Sequence, residues 1–152
     1  MARTRSIKPG FFDNEVLGGL PPLTRLLFIG LWCIADREGR LEDRPKRIKK
    51  TLLGYDDVST SEVSEMLQAL HEAGFIIRYT IDSEGYIQVV NFVKHQNPHI
   101  KEKPSEIPPP PEFQTGHIQK NIDYGSEDEA ENDEHQPSTV QAPDKNHKNT
   151  VQ

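Results

Sequence analysis

The chain has 152 residues, 34% of them hydrophobic, a formal net charge of -6 and a single cysteine. That length holds one domain, or one domain with a tail, and the longest apolar run is about half of what a membrane span needs. Cys33 alone excludes an intramolecular disulfide, and Met1-Ala2-Arg3-Thr4-Arg5-Ser6 leads into no apolar leader segment, so a soluble protein of a reducing cytoplasm is expected.

The charge is unevenly spread. Residues 1–104 carry fifteen Lys and Arg against fourteen Asp and Glu, and residues 105–152 carry three against ten. The acidity therefore belongs to the C-terminal third, and the body is close to neutral.

Arg3, Arg5 and Lys8 form a basic arm that Ile7, Phe11 and Phe12 anchor to the core. Two uses compete for this arm, a minor-groove contact and a frayed solubilising terminus, and the second is favoured. Residues 13–19 suit a short helix ended by Gly18-Gly19 and Pro21-Pro22. Pro22 then opens the clearest helix, in which Leu23, Leu26, Leu27, Gly30, Leu31 and Ile34 recur on one face. Phe28, Ile29, Trp32 and Cys33 fill its other sides, which predicts a helix central to the fold or shared with a second copy in a homodimer. Cys33 reads as a buried, inert thiol.

Asp36-Arg37-Glu38-Gly39 closes that helix, and Arg40-Leu41-Glu42 is a brief extended link. Asp43 is placed to cap a helix with Pro45 in its first turn, running to about residue 53 with Ile48 and Leu52 facing inward. Its outer side gathers Arg44, Lys46, Arg47, Lys49 and Lys50, five cations in seven residues. Such a cluster suits phosphate, and the alternative is a solvated face balanced by Glu42, Asp43, Asp56 and Asp57.

Ser59 and Glu62 read as a capping box for a helix over residues 60–73 with an apolar stripe of Val63, Met66, Leu67 and Leu70. Gly74 stands at its C-cap. The polar side offers Ser61, Ser64 and Gln68 to base edges, yet carries Glu65 and Glu72 and no Lys or Arg. Strand-like runs over 75–81 and 86–92, joined by Asp82-Ser83-Glu84-Gly85, read as a hairpin. Arg78 and Lys94 are candidate phosphate contacts at this wing, the alternative being exposed charges that discourage edge pairing. His95 and His99 have half of a metal spacing with no cysteine nearby, so no metal site is expected. Pro108 to Pro111 form a stiff polyproline segment, and from Gln114 the chain is polar, acidic and expected to be disordered.

The order helix, extended link, helix, helix, hairpin predicts a mainly α protein with a β-hairpin (α+β): a winged helix-turn-helix over residues 1–104, followed by a Pro-rich linker and acidic tail over 105–152. No nucleophile–base pairing or Gly-rich phosphate loop stands out, so neither enzymatic activity nor a cofactor is expected.

Three stretches carry a resemblance to a known family. They are Ile7-Lys8-Pro9-Gly10-Phe11-Phe12; Leu23 to Trp32 with Ala35 to Lys49; and Asn91-Phe92-Val93-Lys94-His95-Gln96-Asn97-Pro98-His99 with Lys101-Glu102-Lys103-Pro104. Together they resemble the N-terminal winged helix of bacteriophage and prophage replication proteins, the replisome organisers, and more loosely the DnaD-like and O-type initiators. The resemblance implies DNA binding in initiation or organisation of phage replication in the bacterial host cytoplasm, with recruitment of a helicase or its loader. Nothing after Pro104 resembles a helicase-loading domain. An operator-binding transcriptional regulator and a protein–protein adaptor are the alternative readings of the same domain.

Overall fold

A computed structural model of the chain describes residues 3–112. The acidic tail lies outside the described residues, as do Phe113 and all that follows it. Among the described residues the fold is α+β, with six helices and a three-stranded antiparallel sheet in the order β1-β3-β2.

Two single turns come first, α1 (Gly10–Asp13) and α2 (Glu15–Gly18). The single short helix expected over 13–19 is thus interrupted at Asn14, whose extended backbone leaves its side chain to accept from the Leu17 amide and cap α2. Helix α3 (Pro22–Ile34) begins at the expected proline. Its buried stripe is Thr24, Leu27, Phe28, Leu31 and Trp32, while Leu26 is half exposed. The inward face is therefore rotated from the one expected: Leu27 and Leu31 keep their places, while Phe28 and Trp32 are buried and Leu26 is not. Phe11 of α1 and Phe75 before the sheet decide the rotation, because they surround the Phe28 and Trp32 rings at centroid distances of 5.4–6.5 Å. Aromatic rings bury more area than the Leu26 side chain that loses its place. Cys33 is consequently only half-buried, against expectation.

Asp36 accepts from the amides of Glu38 and Arg40 and so shapes the turn into β1 (Arg40–Glu42). Gly39 has φ +80°, and a Cβ there would stand 2.5 Å from the Cβ of Phe92. The expected extended link is a full strand: Arg40, Leu41 and Glu42 pair with Gln88, Ile87 and Tyr86.

Helices α4 (Pro45–Leu52) and α5 (Thr60–Glu72) pack on each other and on α3. Ser59 and Glu62 make the capping box from both sides, at 3.1 and 2.7 Å. Those hydrogen bonds hold the Glu62 carboxyl below its usual range, the Ser59 amide acting before the hydroxyl. At the other end Gly74, with φ +82°, closes a Schellman motif through Gly74 N–H to His71 O and Phe75 N–H to Leu70 O. Strands β2 (Ile76–Ile81) and β3 (Glu84–Val89) meet through a two-residue turn. Asp82 and Ser83 both take positive φ there, the primed geometry that matches strand twist. Glu84 and Gly85, expected in the loop, extend the ladder opposite Ile81 and Thr80. The second strand also ends early, because Asn91 turns left-handed and starts α6 (Phe92–His95).

Leu41, Ile76, Ile87 and Val89 face the helices in the main core. The opposite face of the sheet carries Ile77 and Tyr79, also buried. Their cover is the segment after α6. Arg40 Nη1 donates to the Ile107 carbonyl and the Tyr79 hydroxyl to the Pro108 carbonyl, both at 2.8 Å. Ser105 N–H donates to Glu38 at 2.6 Å, and the Ser105 hydroxyl donates to Asp36. Burial pushes the Tyr79 hydroxyl up to about 12. The boundary expected at Pro104 therefore falls inside the packed unit, and residues 105–108 belong to the fold rather than to a linker.

The N-terminal arm is neither frayed nor extended toward a groove. Arg5 lies against Glu102 through two hydrogen bonds of 2.7 and 2.9 Å and over the Phe92 ring at 5.2 Å, with its side chain only 3% exposed. Arg3 reaches the Ala35 carbonyl and Glu102. Ser6 and Gln96 exchange two hydrogen bonds. The two ends of the described chain are thus strapped together.

Candidate nucleic-acid interface

Pro45 supplies a helical φ where no amide partner is needed, and it sets α4 going without a side-chain cap. Asp43, expected to cap it, accepts instead from Arg78 at 2.7 and 3.1 Å. One exchange corrects two expectations. Arg78 sits on the helix side of the sheet, aligned with Ile87 and Leu41, so its guanidinium has to find an acceptor within the fold. Asp43, 11% exposed, is that acceptor, and Arg78 also donates to the Ser64 carbonyl and to Gln68 at 3.3 and 3.4 Å. Arg78 is thereby committed to joining strand, loop and α5, and its place as a wing phosphate contact is withdrawn.

With Ile48 and Leu52 turned inward, Leu52 lies where a Cβ on Gly30 of α3 would meet it at 2.8 Å. The remaining sides of α4 carry the cations, and these divide in two. Arg44 and Arg47 both reach Glu42, at 3.1 and 3.2 Å, and Arg44 also approaches Glu84 at 3.6 Å. All four side chains are well exposed, so these pairs are weak and exchangeable. Lys46, Lys49 and Lys50 make no ion pair among the described residues. They stand at i, i+3 and i+4, one continuous stripe of ammonium groups. Lys49 and Lys50 also occupy the last turn, where the helix dipole favours positive charge.

On α5 the exposed stripe is Ser61, Glu65, Gln68 and Glu72. Gln68 donates to Glu72 at 3.1 Å and accepts from Arg78, so its amide is engaged at both ends. Ser64 is half-buried beside the Arg78 contact. Ser61 alone of the three groove candidates is exposed with no hydrogen bond from its hydroxyl among the described residues. The tip of the hairpin presents Asp82 and Glu84 rather than a cation.

Lys94 does not join this face. Glu84 at the start of β3 meets Arg44, whereas α6 follows the far end of that strand, about 17 Å along it at 3.3 Å per residue. Lys94 therefore belongs to the opposite end of the sheet. The His99 ring accepts from the Lys101 amide, and no cluster of three or more metal-capable side chains forms among the described residues. No described helix is long and apolar enough to cross a membrane.

The assembled face is thus narrower than the cluster in the sequence: three unpaired lysines, two arginines loosely held by Glu42, and an α5 stripe of mixed polar and acidic groups. Comparison with protein-family models, curated proteins and solved structures finds no match for this chain.

Proposed function

We propose that this chain is a non-enzymatic DNA-binding protein built on a winged helix-turn-helix, with α4 and α5 as the helix pair and β2–β3 as the wing. The observation that carries the reading is the Lys46–Lys49–Lys50 stripe, left without an ion pair among the described residues on the first helix of the pair, while Arg5 and Arg78 are matched to carboxylates. Phosphate along a duplex is a dense, regular array of charge that such a stripe fits. Affinity then comes from α4 and only weak sequence preference from α5, whose Glu65 and Glu72 oppose close approach to phosphate. That balance suits a protein that organises DNA for a larger assembly better than an operator-binding repressor. Together with the resemblance to phage replisome organisers, it favours a role in initiating or organising phage DNA replication.

The test is a titration of the whole chain with duplex and single-stranded DNA over a salt series. Three to four phosphate contacts give a slope of log K on log salt of roughly -3. Lys46→Ala/Lys49→Ala/Lys50→Ala should flatten that slope to near zero and weaken binding at low salt by about a hundredfold. Binding that keeps its salt slope in the triple variant refutes the reading.

The acidic stripe of α5 favours one second reading, a protein–protein adaptor in which the two helices meet a partner of mixed charge. A complex with replication proteins that persists in the triple lysine variant would support it.

A further inference from the structure

The described chain returns to the basic helix before it ends. Ile107 shares with Arg44, Arg47, Leu41 and Ile48 the walls of a groove of about 490 Å³ between α4 and β1. Arg40 and Tyr79 then hold the Ile107 and Pro108 carbonyls. Residues 113–152 thus continue from a point anchored close to α4. Within them stands Glu127-Asp128-Glu129-Ala130-Glu131-Asn132-Asp133-Glu134, six carboxylates in eight residues. Fifteen residues lead from Glu112 to Glu127. They can span up to about 50 Å, more than the roughly 35 Å diameter of a domain of this size. The acidic run is therefore long enough in tether to reach α4, which lies beside the anchored Ile107.

Charge decides which face. Arg3 and Arg5 are engaged by Glu102, Arg40 by Gln88 and the Ile107 carbonyl, and Arg78 by Asp43. The stripe on α4 is the dense set of cations that nothing described neutralises. The geometry points to an intramolecular contact in which residues 127–134 dock on Lys46, Lys49 and Lys50 and compete there with nucleic-acid phosphate. Because the run is tethered, the contact is independent of protein concentration. Its carboxylates lie farther apart than the charges of a duplex, which come about every 1.7 Å along the axis, so a long duplex displaces the run where a sparse anion does not. The contact itself stands apart from the DNA reading; its regulatory consequence rests on it.

The experiment uses the whole chain and a variant in which Glu127, Glu129, Glu131 and Glu134 become Gln and Asp128 and Asp133 become Asn. Zero-length carbodiimide cross-linking of dilute monomer, followed by peptide mapping, should join Lys46, Lys49 or Lys50 to residues 127–134. Those links should vanish at about 0.5 M salt, where charges are screened within a few ångströms. Backbone amide signals of residues 46–52 should differ between the two chains while those of the β2–β3 hairpin coincide. Links confined to Lys8, Lys94, Lys101 or Lys103, or unchanged α4 amide signals, overturn the contact. With duplex DNA the variant should bind about tenfold more tightly at low salt, a gain that shrinks as salt rises. Equal DNA affinity in both chains with no α4 links overturns this inference and leaves the DNA reading intact. Links at α4 with no DNA binding by either chain leave the contact standing and remove the DNA reading.

Discussion

The guanidinium groups that hold this domain together and the ammonium groups on α4 have opposite surroundings. Arg5, Arg40 and Arg78 each meet two or more acceptors, and Arg3 and Arg37 also end on backbone carbonyls of distant segments. Lys46 and Lys50 are exposed and Lys49 is half-buried, and none of the three makes an ion pair among the described residues. The split follows the chemistry of the two side chains: a planar fork satisfies several fixed acceptors at once, whereas an ammonium is a compact, strongly hydrated charge. A tally of basic residues therefore overstates what is available to a ligand. The number that matters is the cations left after the fold has used its share.

The comparison is broken most directly at Arg5. Arg5→Ala removes both hydrogen bonds to Glu102, the one to the Trp32 carbonyl and the contact over Phe92. Glu102, whose side chain is 14% exposed, is left with Arg3 and the His99 amide. The expected loss is about 3 kcal/mol of folding stability, read from urea denaturation. A loss under about 0.5 kcal/mol would mean the strap is decoration, not structure.

Arg78 sharpens the division because the sequence had placed it on the other side. Arg78→Lys keeps the charge and forfeits the fork on Asp43, so it should cost about 2 kcal/mol. The DNA salt slope should not change. A slope reduced by about one contact, with stability intact, would return Arg78 to the phosphate-facing set.

The same pairing makes stability depend on acid. Hydrogen bonds from Arg5 hold the Glu102 carboxyl down to about 2 against an ordinary 4.5, helped by the charges of Arg5 and Arg3 and the His99 amide, while burial opposes them. A carboxyl depressed on folding stabilises above its unfolded pKa, and that contribution drains away as pH falls from about 4.5 toward 2. The denaturation midpoint should therefore drop more steeply over this window in the wild type than in Glu102→Gln. Parallel curves would show that other carboxylates govern acid unfolding.

How far the sequence foretold this arrangement depends on how local each cause is. The capping box at Ser59 and Glu62, the Gly74 cap, the proline starts of α3 and α4 and the existence of the hairpin are set by neighbours within a few residues, and all were legible. The orientation of α3 was not, because Phe11 and Phe75, far apart in the chain, choose its inward face. Nor was the Asp43–Arg78 pair, which joins residues 35 positions apart. Local rules gave each of those two a plausible task, as cap and as wing cation, and a single long-range hydrogen-bonded pair claimed both. The strap of residues 105–108 looked like a linker because prolines and charges mark linkers; only the buried Tyr79 and Ile77 beneath it reveal a packed segment. At the site, the cation cluster was plain, but which members were uncommitted depended on where β1 placed Glu42.

The smallest effect on stability is expected where the effect on binding is largest. In Lys46→Ala/Lys49→Ala/Lys50→Ala, relief of repulsion between Lys46 and its neighbours one turn on, together with the better helix propensity of alanine, favours the folded state. Loss of Lys49 and Lys50 from the last turn, where they complement the helix dipole, works against it. These terms are similar in size and opposite in sign, so the urea midpoint should stay within about 0.5 kcal/mol of wild type. That near-neutrality gives the DNA titration its meaning, since lost binding could not then be blamed on lost structure. A loss of about 2 kcal/mol or more would put the lysines with the arginines as members of the fold. The stripe would then be a structural feature whose exposure is incidental.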